Sequence, residues 1–386
     1  MKIGFVSDRD PYNDKKSWSG TVYKLRESIE NAGHEIVWIK FDKELSDFSS
    51  KLRLKLLILY MKYTKKNVIG TCYLDFFCKY YAKKIEQQGL YKTCDCLFFA
   101  GPSGAQIALY LRESVPYIYL ADACFHLMEN YYWFNLSPYF AKKARHDEEL
   151  ATQRAWINIR SSQWAVNGAI KYCKAPISSI YVLEFGANID EKDIEIVKPY
   201  QNGKLNIIFS GTEWERKGGQ IAVDTTNLLK EYGFDVILHI IGIKELPNSC
   251  KKMDFINFVG FLCKDQETDY KKYIDLWRSA HLLLLPTHAE CSAIVFSEAA
   301  AFGIPTFTYN TGGIGNYVID GVNGYKIDPS DGANAFANKI ISCIESHELK
   351  KLSKGARELY EKRLSWNSWA KRFNYIIEQN IDNLKK

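Results

Sequence analysis

Two glutamates, Glu290 and Glu298, are the residues whose type and spacing point most clearly to chemistry. Seven residues separate them, and at about 100° of rotation per residue two such carboxylates do not share one helical face. Glu290 is therefore predicted to lie on a loop, and Glu298 two turns into a helix that begins near Ser292, a good N-cap residue. The backbone N–H groups of Ser292, Ala293 and Ile294 would then be open to a ligand. Because unpaired donors and the helix dipole both favour negative charge, we expect an anion-binding site there.

The elements that must position these residues follow a regular order of strands and helices. The apolar run Leu282–Leu285 predicts a strand just before the loop, and ligands of open α/β sheets bind beyond the carboxyl ends of the strands. The same alternation recurs in both halves of the chain, which predicts parallel sheets covered by helices. The other predicted strands are Lys2–Ser7, Glu35–Phe41, Cys96–Ala100, Tyr117–Leu120, Leu205–Ser210, Val236–Ile241, Ile256–Val259 and Ile304–Tyr309.

The length of the chain, 386 residues, suits two domains better than one. The polar segment 190–203, which carries Pro199 and Gly203, predicts the junction between them. We therefore expect an α/β protein of two doubly wound, Rossmann-like domains, 1–190 and 191–366.

Several common chemistries lack their sequence patterns. The chain has no P-loop, no G-x-G-x-x-G after its first strand, no G-x-S-x-G elbow and no H-E-x-x-H. Its 47% hydrophobic and 25% charged residues exclude a disordered or fibrous protein. The first apolar run is too short for a signal peptide or an anchor, and no later run is long enough to cross a bilayer. Ten scattered cysteines favour buried thiols in a reducing cytoplasm over disulfides or a zinc site.

The stretch 286–313, with its two glutamates, small-residue helix, Gly-Ile-Pro and Thr-Gly-Gly, resembles the signature of family 4 retaining glycosyltransferases of the GT-B fold. The resemblance covers most of residues 180–370 and is loose over 1–180. It implies two domains facing a cleft, with the acceptor on the first and a nucleotide-sugar on the second, and a C-terminal helix, about 367–386, that crosses back to the first. Other segments that resemble the family's pieces, in the family's order, are Ser19-Gly20, 185–190, 211–218, 257–261 and 320–324.

The resemblance implies how the donor's diphosphate is bound. Arg216 and Lys217 would neutralise its charge, helped by the N–H groups of residues 292–294. Gly20, which lacks a side chain, would let an N-terminal loop approach the diphosphate closely. Thr212 stands where the family usually has an arginine, so either Arg216 supplies that charge or the phosphate is held more weakly.

The resemblance also implies roles for residues at the two ends of the donor. Glu298 would accept hydrogen bonds from the ribose hydroxyls, and Phe261 and Leu262 would lie against the base. The candidate catalytic residues are Glu290, which would hold a hydroxyl of the transferred sugar, and Asp122. Asp122 occupies the place of the family's histidine, where an acid could receive the acceptor proton or bind a hydroxyl. The alternative role for Asp122 is a helix cap.

The implied reaction moves a hexose-type sugar from a nucleoside-diphosphate sugar to a glycan or lipid-linked acceptor, with retention, in surface polysaccharide or glycoconjugate assembly. No metal and no cofactor besides the donor substrate are expected, and no nucleic acid is an expected partner. The segment 8–10 has the D-x-D form that metal-dependent transferases use, but its early position favours a structural loop. Two rival functions stay open: a catalytically silent nucleotide-sugar-binding partner and a GT-B-fold sugar-nucleotide epimerase.

The net charge of +6 belongs wholly to the first half of the chain, because residues 1–190 contain 26 Lys and Arg against 20 Asp and Glu. The densest part, 51–66, has six basic residues among apolar ones and no acid. Such a segment can lie in an anionic membrane surface, which predicts a cytoplasmic protein peripheral to the inner face of the membrane. The alternative is a core helix with a solvated charged face. The candidate membrane contacts are Lys51, Arg53, Lys55, Lys62, Lys65 and Lys66.

Overall fold

The computed structural model describes residues 1–41, 44–101 and 104–384. The chain divides into two compact units. The first consists of Met1–Ser17, Thr21–Leu183 and Ala370–Lys386, and the second of Trp18–Gly20 and Glu184–Trp369. The sequence placed the domain junction slightly later, between residues 190 and 191.

The first unit is built on a six-stranded parallel sheet with the order β2-β1-β3-β4-β5-β6. The two central strands of this sheet are apolar and wholly buried, as expected for strands covered on both faces. They are Cys96–Ala100 and Tyr117–Ala121. The strands are β1 (Lys2–Ser7), β2 (Glu35–Lys40), β3 (Cys96–Ala100), β4 (Tyr117–Ala121), β5 (Ile157–Arg160) and β6 (Ile180–Val182).

Helices connect the strands of this sheet. The second of them, Phe48–Thr64, begins after Asp47, whose carboxylate accepts a hydrogen bond from the backbone N–H of Ser50. Only Ser50 of this helix is buried, but Leu54 and Leu57 are partly buried against the core of the unit, so the helix packs along one side and both predictions for the segment stay open. The helices are α1 (Thr21–Asn31), α2 (Phe48–Thr64), α3 (Asp75–Gln88), α4 (Phe125–Met128), α5 (Pro138–Arg154) and α6 (Gln163–Cys173).

The second unit repeats the architecture with another six-stranded parallel sheet, in the order β12-β11-β10-β7-β8-β9. Leucines fill the whole of one central strand, 282–285, which is completely buried. The strands are β7 (Leu205–Ser210), β8 (Val236–Ile241), β9 (Ile256–Gly260), β10 (Leu282–Leu285), β11 (Thr306–Tyr309) and β12 (Gly324–Ile327).

The helices of the second unit complete the alternation. They are α7 (Trp214–Lys217), α8 (Gly219–Tyr232), α9 (Glu267–Ser279), α10 (Ile294–Ala301), α11 (Ala333–Glu345) and α12 (Leu349–Leu359). A π-helical turn, Tyr360–Leu364, leads to the last helix, α13 (Trp366–Leu384). From Ala370 onward α13 belongs to the first unit, where Phe373 packs against Phe98 and Arg372 donates to the carbonyl oxygen of Val182.

The prediction of two doubly wound α/β domains is confirmed, and several predicted strands have the observed bounds. The sequence did not predict the short strands β5, β6 and β12. No disulfide joins cysteines of the described residues, and eight of the ten thiols are buried. In the described part of the chain, no helix has both the length and the apolarity needed to cross a membrane.

Candidate functional site

Glu290 lies on the loop between β10 and α10, as predicted, and is 7% exposed. Its Oε2 accepts a short hydrogen bond from the Nζ of Lys217, and the Nη1 of Arg216 lies 3.6 Å from the same oxygen. The sequence assigned all three residues to the donor, but only the fold shows that they form one cluster. Two cations therefore meet one buried carboxylate, an arrangement that can bind both hydroxyl and phosphate groups.

Backbone contacts hold the two loops of this cluster together. The backbone N–H of His288 donates to the carbonyl oxygen of Arg216 at 2.8 Å, and the Nη1 of Arg216 donates to the carbonyl oxygen of Ala289 at 2.9 Å. Gly218 ends α7 with φ +74°, and a Cβ at that position would lie 2.0 Å from the carbonyl oxygen of Pro286. Only glycine permits this backbone and this approach, so it fixes the position of Lys217 beside the β10 loop.

Arg216, and not the residue at position 212, reaches the β10 loop, and its role as a substitute for the family's arginine stays a prediction. Thr212 is exposed, whereas Arg216 reaches across to the β10 loop. On its solvent side Arg216 also donates to Oε1 of Glu213, at 2.7 and 3.1 Å. These hydrogen bonds hold the pKa of Glu213 below its ordinary value. The guanidinium group is thus positioned from both sides next to Glu290.

Glu298 is the fifth residue of α10, is 2% exposed, and has a partner on each oxygen. Oε1 accepts from the Nζ of Lys264 at 2.5 Å, and Oε2 accepts from the hydroxyl of Tyr273 at 2.6 Å. Burial, followed by the nearby Glu298 charge, raises the pKa of Tyr273 well above its ordinary value, so the phenol stays a donor. The carboxylate is therefore held in a fixed orientation, which suits the hydrogen bonds expected from the two ribose hydroxyls.

The sequence analysis missed Lys264 and Tyr273. Tyr273 lies on α9, whose prediction was correct in outline, and its ring is buried with Trp277 one helical turn further on. A helical spacing of buried aromatic residues could have placed Tyr273 on the inner face, but not opposite Glu298. Lys264 follows β9 on a loop, where no periodic signal exists.

The helix after Glu290 begins two residues later than predicted. Ala293 occupies the N-cap position without a side-chain hydrogen bond, so the prediction that Ser292 caps the helix is wrong. The reason is that the preceding loop is held elsewhere, since the backbone N–H of Gly313 donates to the carbonyl oxygen of Glu290 at 3.0 Å. Among the described residues, the backbone N–H groups of Ser292, Ala293 and Ile294 have no hydrogen-bond acceptor, and they remain available to an anion.

Comparison with known proteins finds a family model that matches the part of the chain containing this cluster. Residues 204–346, which include Arg216, Lys217, Glu290 and Glu298, match the family model described as Glycosyl transferases group 1. The matched residues lie within the second unit. Among curated relatives, the capsular polysaccharide biosynthesis glycosyltransferase CapM of Staphylococcus aureus is 24% identical over 188 residues, which are 46% of this chain and 48% of CapM. Spore coat protein SA of Bacillus subtilis is 28% identical over 195 residues, 46% of this chain and 50% of that protein.

The chain spans about half the length of these curated relatives, whereas solved structures match it over nearly its whole length. Sucrose-phosphate synthase from Thermosynechococcus elongatus superposes with a TM-score of 0.70 at 16% identity, covering 99% of this chain and 100% of that one. HepE of Anabaena, in complex with UDP and glucose, gives a TM-score of 0.62 at 15% identity, covering 98% and 99%. Identities this low show the fold alone. The chain has the GT-B fold, and the recognition made from the sequence is confirmed to that extent.

The two residues expected at the base lie on the loop of the second unit that follows β9. Gly260 ends the strand with φ +80°, Phe261 is 58% exposed, and Leu262 is half-buried against the core of the unit. The same loop continues to Lys264, which contacts Glu298. The loop therefore joins the exposed ring of Phe261 to the carboxylate expected to bind ribose.

Gly20 lies in a three-residue segment, Trp18–Gly20, that belongs to the second unit. All three residues have positive φ, at 52°, 57° and 87°. The segment is held by the side-chain amide of Asn188, which donates to the carbonyl oxygen of Ser19 at 2.7 Å, and by the ring of Phe185, 5.1 Å from that of Trp18. A backbone fixed in this rarely populated conformation is a feature of functional loops. The role of Gly20 at a diphosphate stays a prediction.

Asp122 lies in the first unit, one residue after β4, and is half-buried. The N-cap position of the short helix α4 belongs to Cys124, and the backbone N–H of Phe125 donates to the buried Glu148 at 2.6 Å. The alternative prediction that Asp122 caps this helix is therefore wrong. Its position beyond a strand's carboxyl end suits a ligand-binding group.

Two further groups of sequence candidates lie in the first unit. The carboxylate of Asp10 accepts hydrogen bonds from the backbone N–H groups of Tyr12 and Asn13, at 2.8 and 3.2 Å, as the side chain of a loop does. Within the described residues, no cluster of His, Cys, Asp and Glu side chains could hold a metal ion. Of the predicted membrane contacts, Lys51, Arg53, Lys55 and Lys62 lie on α2, Lys65 is its C-cap, and Lys66 follows it.

Proposed function

We propose that this protein is a retaining glycosyltransferase that moves a hexose-type sugar from a nucleoside-diphosphate sugar to a glycan or lipid-linked acceptor. The observation that carries the proposal is the cluster of Glu290, Arg216 and Lys217 inside the region that matches the group 1 family. The titles of HepE structures name UDP and UDP-glucose, so a UDP-sugar is the first donor to test.

The positive groups of the cluster would stabilise the departing diphosphate. Arg216 and Lys217 meet Glu290, which precedes the start of α10 by four residues, so we expect the side-chain donors and the backbone N–H groups of that helix start to bind the same diphosphate. Such donors cost no reorganisation when charge develops on the leaving group, and one of them contributes about 10²- to 10³-fold to a rate. The exposed Glu213 would give up Arg216 to the phosphate, because water can replace that hydrogen bond.

The ribose would bind at Glu298. Lys264 and Tyr273 each engage one oxygen of this carboxylate, which leaves its remaining lone pairs oriented toward a pair of neighbouring hydroxyls. We assign Lys264 and Tyr273 as positioning residues, because they act through Glu298. Phe261, exposed on the same loop as Lys264, would cover the base.

Retention would proceed without a covalent sugar–enzyme intermediate. Glu290 is held by Lys217 and faces Arg216, and a carboxylate neutralised by two cations is a poor nucleophile. Glu290 would instead bind a hydroxyl of the transferred sugar, and the acceptor would attack from the face that the diphosphate leaves. Asp122 of the first unit would receive the acceptor proton or bind an acceptor hydroxyl. Neither a metal nor a cofactor takes part in this scheme.

The protein would bind its acceptor at the inner face of the membrane, during the assembly of a surface polysaccharide or glycoconjugate. Two relatives named for capsular polysaccharide biosynthesis and lipopolysaccharide N-acetylglucosamine transfer support this direction. The excess of basic residues lies in the first half of the chain, which is the expected acceptor side.

The decisive assay follows the release of nucleoside diphosphate from UDP-, GDP- and TDP-sugars by the whole chain, with and without a membrane-lipid extract. A transferase releases the diphosphate only when acceptor is present. A silent partner is stabilised thermally by the nucleotide, by RT ln(1 + [L]/Kd), but releases nothing. An epimerase isomerises the sugar without acceptor. Either of the last two results would overturn the proposal.

Matched variants test the site itself. Glu290→Gln keeps the shape of the side chain but loses its charge, and we expect turnover to fall at least 10-fold. Lys217→Gln should lower turnover about 10²- to 10³-fold, because it removes a donor to the leaving group. Glu215→Gln is the control, since Glu215 is exposed on the same turn, and its turnover should match that of the natural protein. Unchanged turnover in Glu290→Gln would refute the site assignment, and loss of activity in EDTA would refute the metal-free scheme.

A further inference from the structure

Helix α2 presents a continuous apolar stripe on its outer side. Phe48, Leu52, Leu56, Leu59 and Tyr63 follow one another in steps of four and three residues, which places them on one helical face. All five are exposed, by 44 to 91%. Single apolar side chains on a surface are ordinary, but a row of five along one helix marks a surface that binds an apolar partner.

The other side of α2 is already packed on the first unit. Leu54 and Leu57 contact its core, and the hydroxyl of Tyr60 lies 2.8 Å from that of Ser137. The ring of Tyr60 also packs edge-on against that of Phe140 at 5.5 Å. Because the inner side is occupied, the helix cannot turn to bury its stripe, and the stripe must find its partner outside the unit.

The charges beside the stripe identify that partner. Lys51, Lys55 and Lys62 each precede a stripe residue by one position, so they border the stripe along one edge. The helix contains no acidic residue, and none of the three lysines pairs with a carboxylate in the part of the chain that the structure describes. An apolar strip edged by lysines matches the boundary between acyl chains and anionic headgroups. A second copy related by two-fold symmetry would bring like charges together, which opposes a dimer.

A cavity of about 560 Å³ lies between α2, α3 and α5, in the size range of ligand pockets. Leu56, Leu57, Phe76 and Phe140 are among its lining residues. Leu56 belongs to both the stripe and the cavity wall, so the two features are continuous. A hydrocarbon chain from a bilayer in contact with the stripe could therefore enter the cavity without crossing water.

Two cations line the same cavity. The guanidinium carbon of Arg53 lies 3.6 Å from the ring centre of Phe76, and the Nζ of Lys143 lies 2.7 Å from the Oδ2 of Asp75. Arg53 thus lies on the opposite edge of the stripe from the three lysines, next to the cavity. Lys66 donates to the Oδ1 of Asn135, beyond the end of the helix. The six basic residues that the sequence predicted as membrane contacts therefore lie in different surroundings.

We propose that the stripe and the cavity form one lipid site. The stripe lies in the headgroup–acyl boundary of an anionic bilayer, and one anionic phospholipid places an acyl chain in the cavity and its phosphate near Arg53 and Lys143. The proposal concerns the first unit alone and does not depend on sugar transfer.

The bilayer part is tested by sedimentation of the full chain with vesicles of phosphatidylcholine, with and without phosphatidylglycerol. We expect binding to the anionic vesicles, weakening as salt is raised, and little to neutral ones. The triple variant Leu52→Gln, Leu56→Gln, Leu59→Gln should lose binding at least 10-fold. The double variant Ile177→Gln, Tyr375→Gln, which changes two exposed apolar residues elsewhere in the first unit, should bind as the natural protein does.

The charge contribution has its own matched pair of variants. Lys51→Gln, Lys55→Gln, Lys62→Gln should weaken binding about 100-fold. Lys350→Gln, Lys351→Gln, Lys354→Gln removes the same charge from α12 of the second unit and should leave binding nearly unchanged. Equal loss in both variants would overturn the assignment to α2, as would equal binding to neutral vesicles.

The cavity part is tested by native mass spectrometry with short-chain phosphatidylglycerol below its micelle concentration. We expect one bound molecule on the natural protein. Leu56→Trp keeps the stripe apolar but obstructs the cavity, and should lose that molecule. Leu52→Trp, on the stripe but outside the cavity lining, should keep it. Equal lipid retention in the two variants, or none in the natural protein, would overturn the cavity assignment.

Sedimentation velocity tests whether a second copy of the chain, and not a bilayer, covers the stripe. A dimer that the Leu-to-Gln variant dissolves, together with absent vesicle binding, would show that a second copy covers α2. None of these assays contains a nucleotide-sugar, so their failure and the failure of the proposed transferase activity are distinguishable.

Discussion

Two apolar helices, one in each unit, have opposite surroundings. In α10 every residue from Val295 to Ala301 is buried, and Glu298 is buried with them. In α2, which is longer and, unlike α10, rich in leucine, only Ser50 is buried. Helix α10 packs against α12 and the π-helical turn Tyr360–Leu364, within the core of the second unit, whereas α2 contacts its unit on one side only.

The difference shows that the role of an apolar helix depends on whether its side chains are buried in the unit or exposed to solvent. Burial in α10 gives rigidity, which holds Glu298 in place for its partners Lys264 and Tyr273. Exposure in α2 costs nothing in packing, but it leaves apolar surface in water that a partner can cover. The following expected outcomes test this contrast.

The largest effect is expected from Phe296→Ala in α10, because Phe296 is completely buried. Loss of its ring should lower the free energy of unfolding by about 3–5 kcal/mol. The matched change Phe48→Ala in α2, where the ring is 81% exposed, should lower it by less than about 0.5 kcal/mol. Urea denaturation measures both, and similar losses would refute the contrast.

The second effect concerns buried charge in the second unit. Lys217→Met should cost about 3 kcal/mol of unfolding free energy, because it removes the ammonium group in contact with the buried carboxylate of Glu290. Lys55→Met on the exposed side of α2 should cost almost nothing. The double variant Lys217→Met, Glu290→Gln should regain part of the loss. If the double variant were no more stable than the single one, the pairing would not be the cause.

The third effect is a dependence of stability on pH in the second unit. Burial lowers the pKa of both His239 and His281, and Nδ1 of His281 accepts a hydrogen bond from the backbone N–H of Asn206. As pH falls through about 6.5, the unfolded chain takes up protons before the folded one, so the contribution present above that pH is lost. The melting temperature should therefore fall between pH 7.5 and 5.

The histidine variant His281→Asn checks the origin of that pH dependence. It keeps a hydrogen-bond acceptor but removes a titrating group, so the fall in melting temperature on acidification should be smaller than in the natural protein. A curve with the same slope would assign the dependence to other groups.

The smallest effect is expected on α2 itself. Leu52→Gln with Leu59→Gln should change the free energy of unfolding by no more than about 0.5 kcal/mol, because both side chains are exposed in the folded protein. Denaturation in the absence of lipid measures this. A loss of several kcal/mol would mean that the stripe is packed in the folded chain.

Much of the fold could be predicted from the sequence because its signals are local. Apolar runs gave β1, β3, β7, β8 and β10 with their observed bounds, since buried parallel strands are apolar throughout. Edge strands such as β12, which begins at Gly324, lack such a run and were missed. The start of α10 was misplaced because a backbone contact from Gly313, far along the chain, holds the preceding loop.

The candidate site shows the same division. Glu290 and Glu298 were recognised from their type and spacing, and Arg216 and Lys217 from the resemblance to the glycosyltransferase family. Lys264 and Tyr273 were not, because their importance lies in contacts with Glu298 across 34 and 25 residues of sequence. Likewise, the sequence identified 51–66 as a basic segment with interleaved apolar residues. It did not show that the basic residues divide between the edge of the stripe and the cavity.

The sequence by itself determined the two-domain α/β organisation, the order of its elements, the resemblance to a glycosyltransferase family and the excess of positive charge in the first half. These properties depend on residue type and short-range spacing. The tertiary structure alone decided which cation meets Glu290, which groups orient Glu298, and which face of α2 stays in water. Those outcomes depend on contacts between distant segments, where the path of the backbone sets distances that no local pattern encodes.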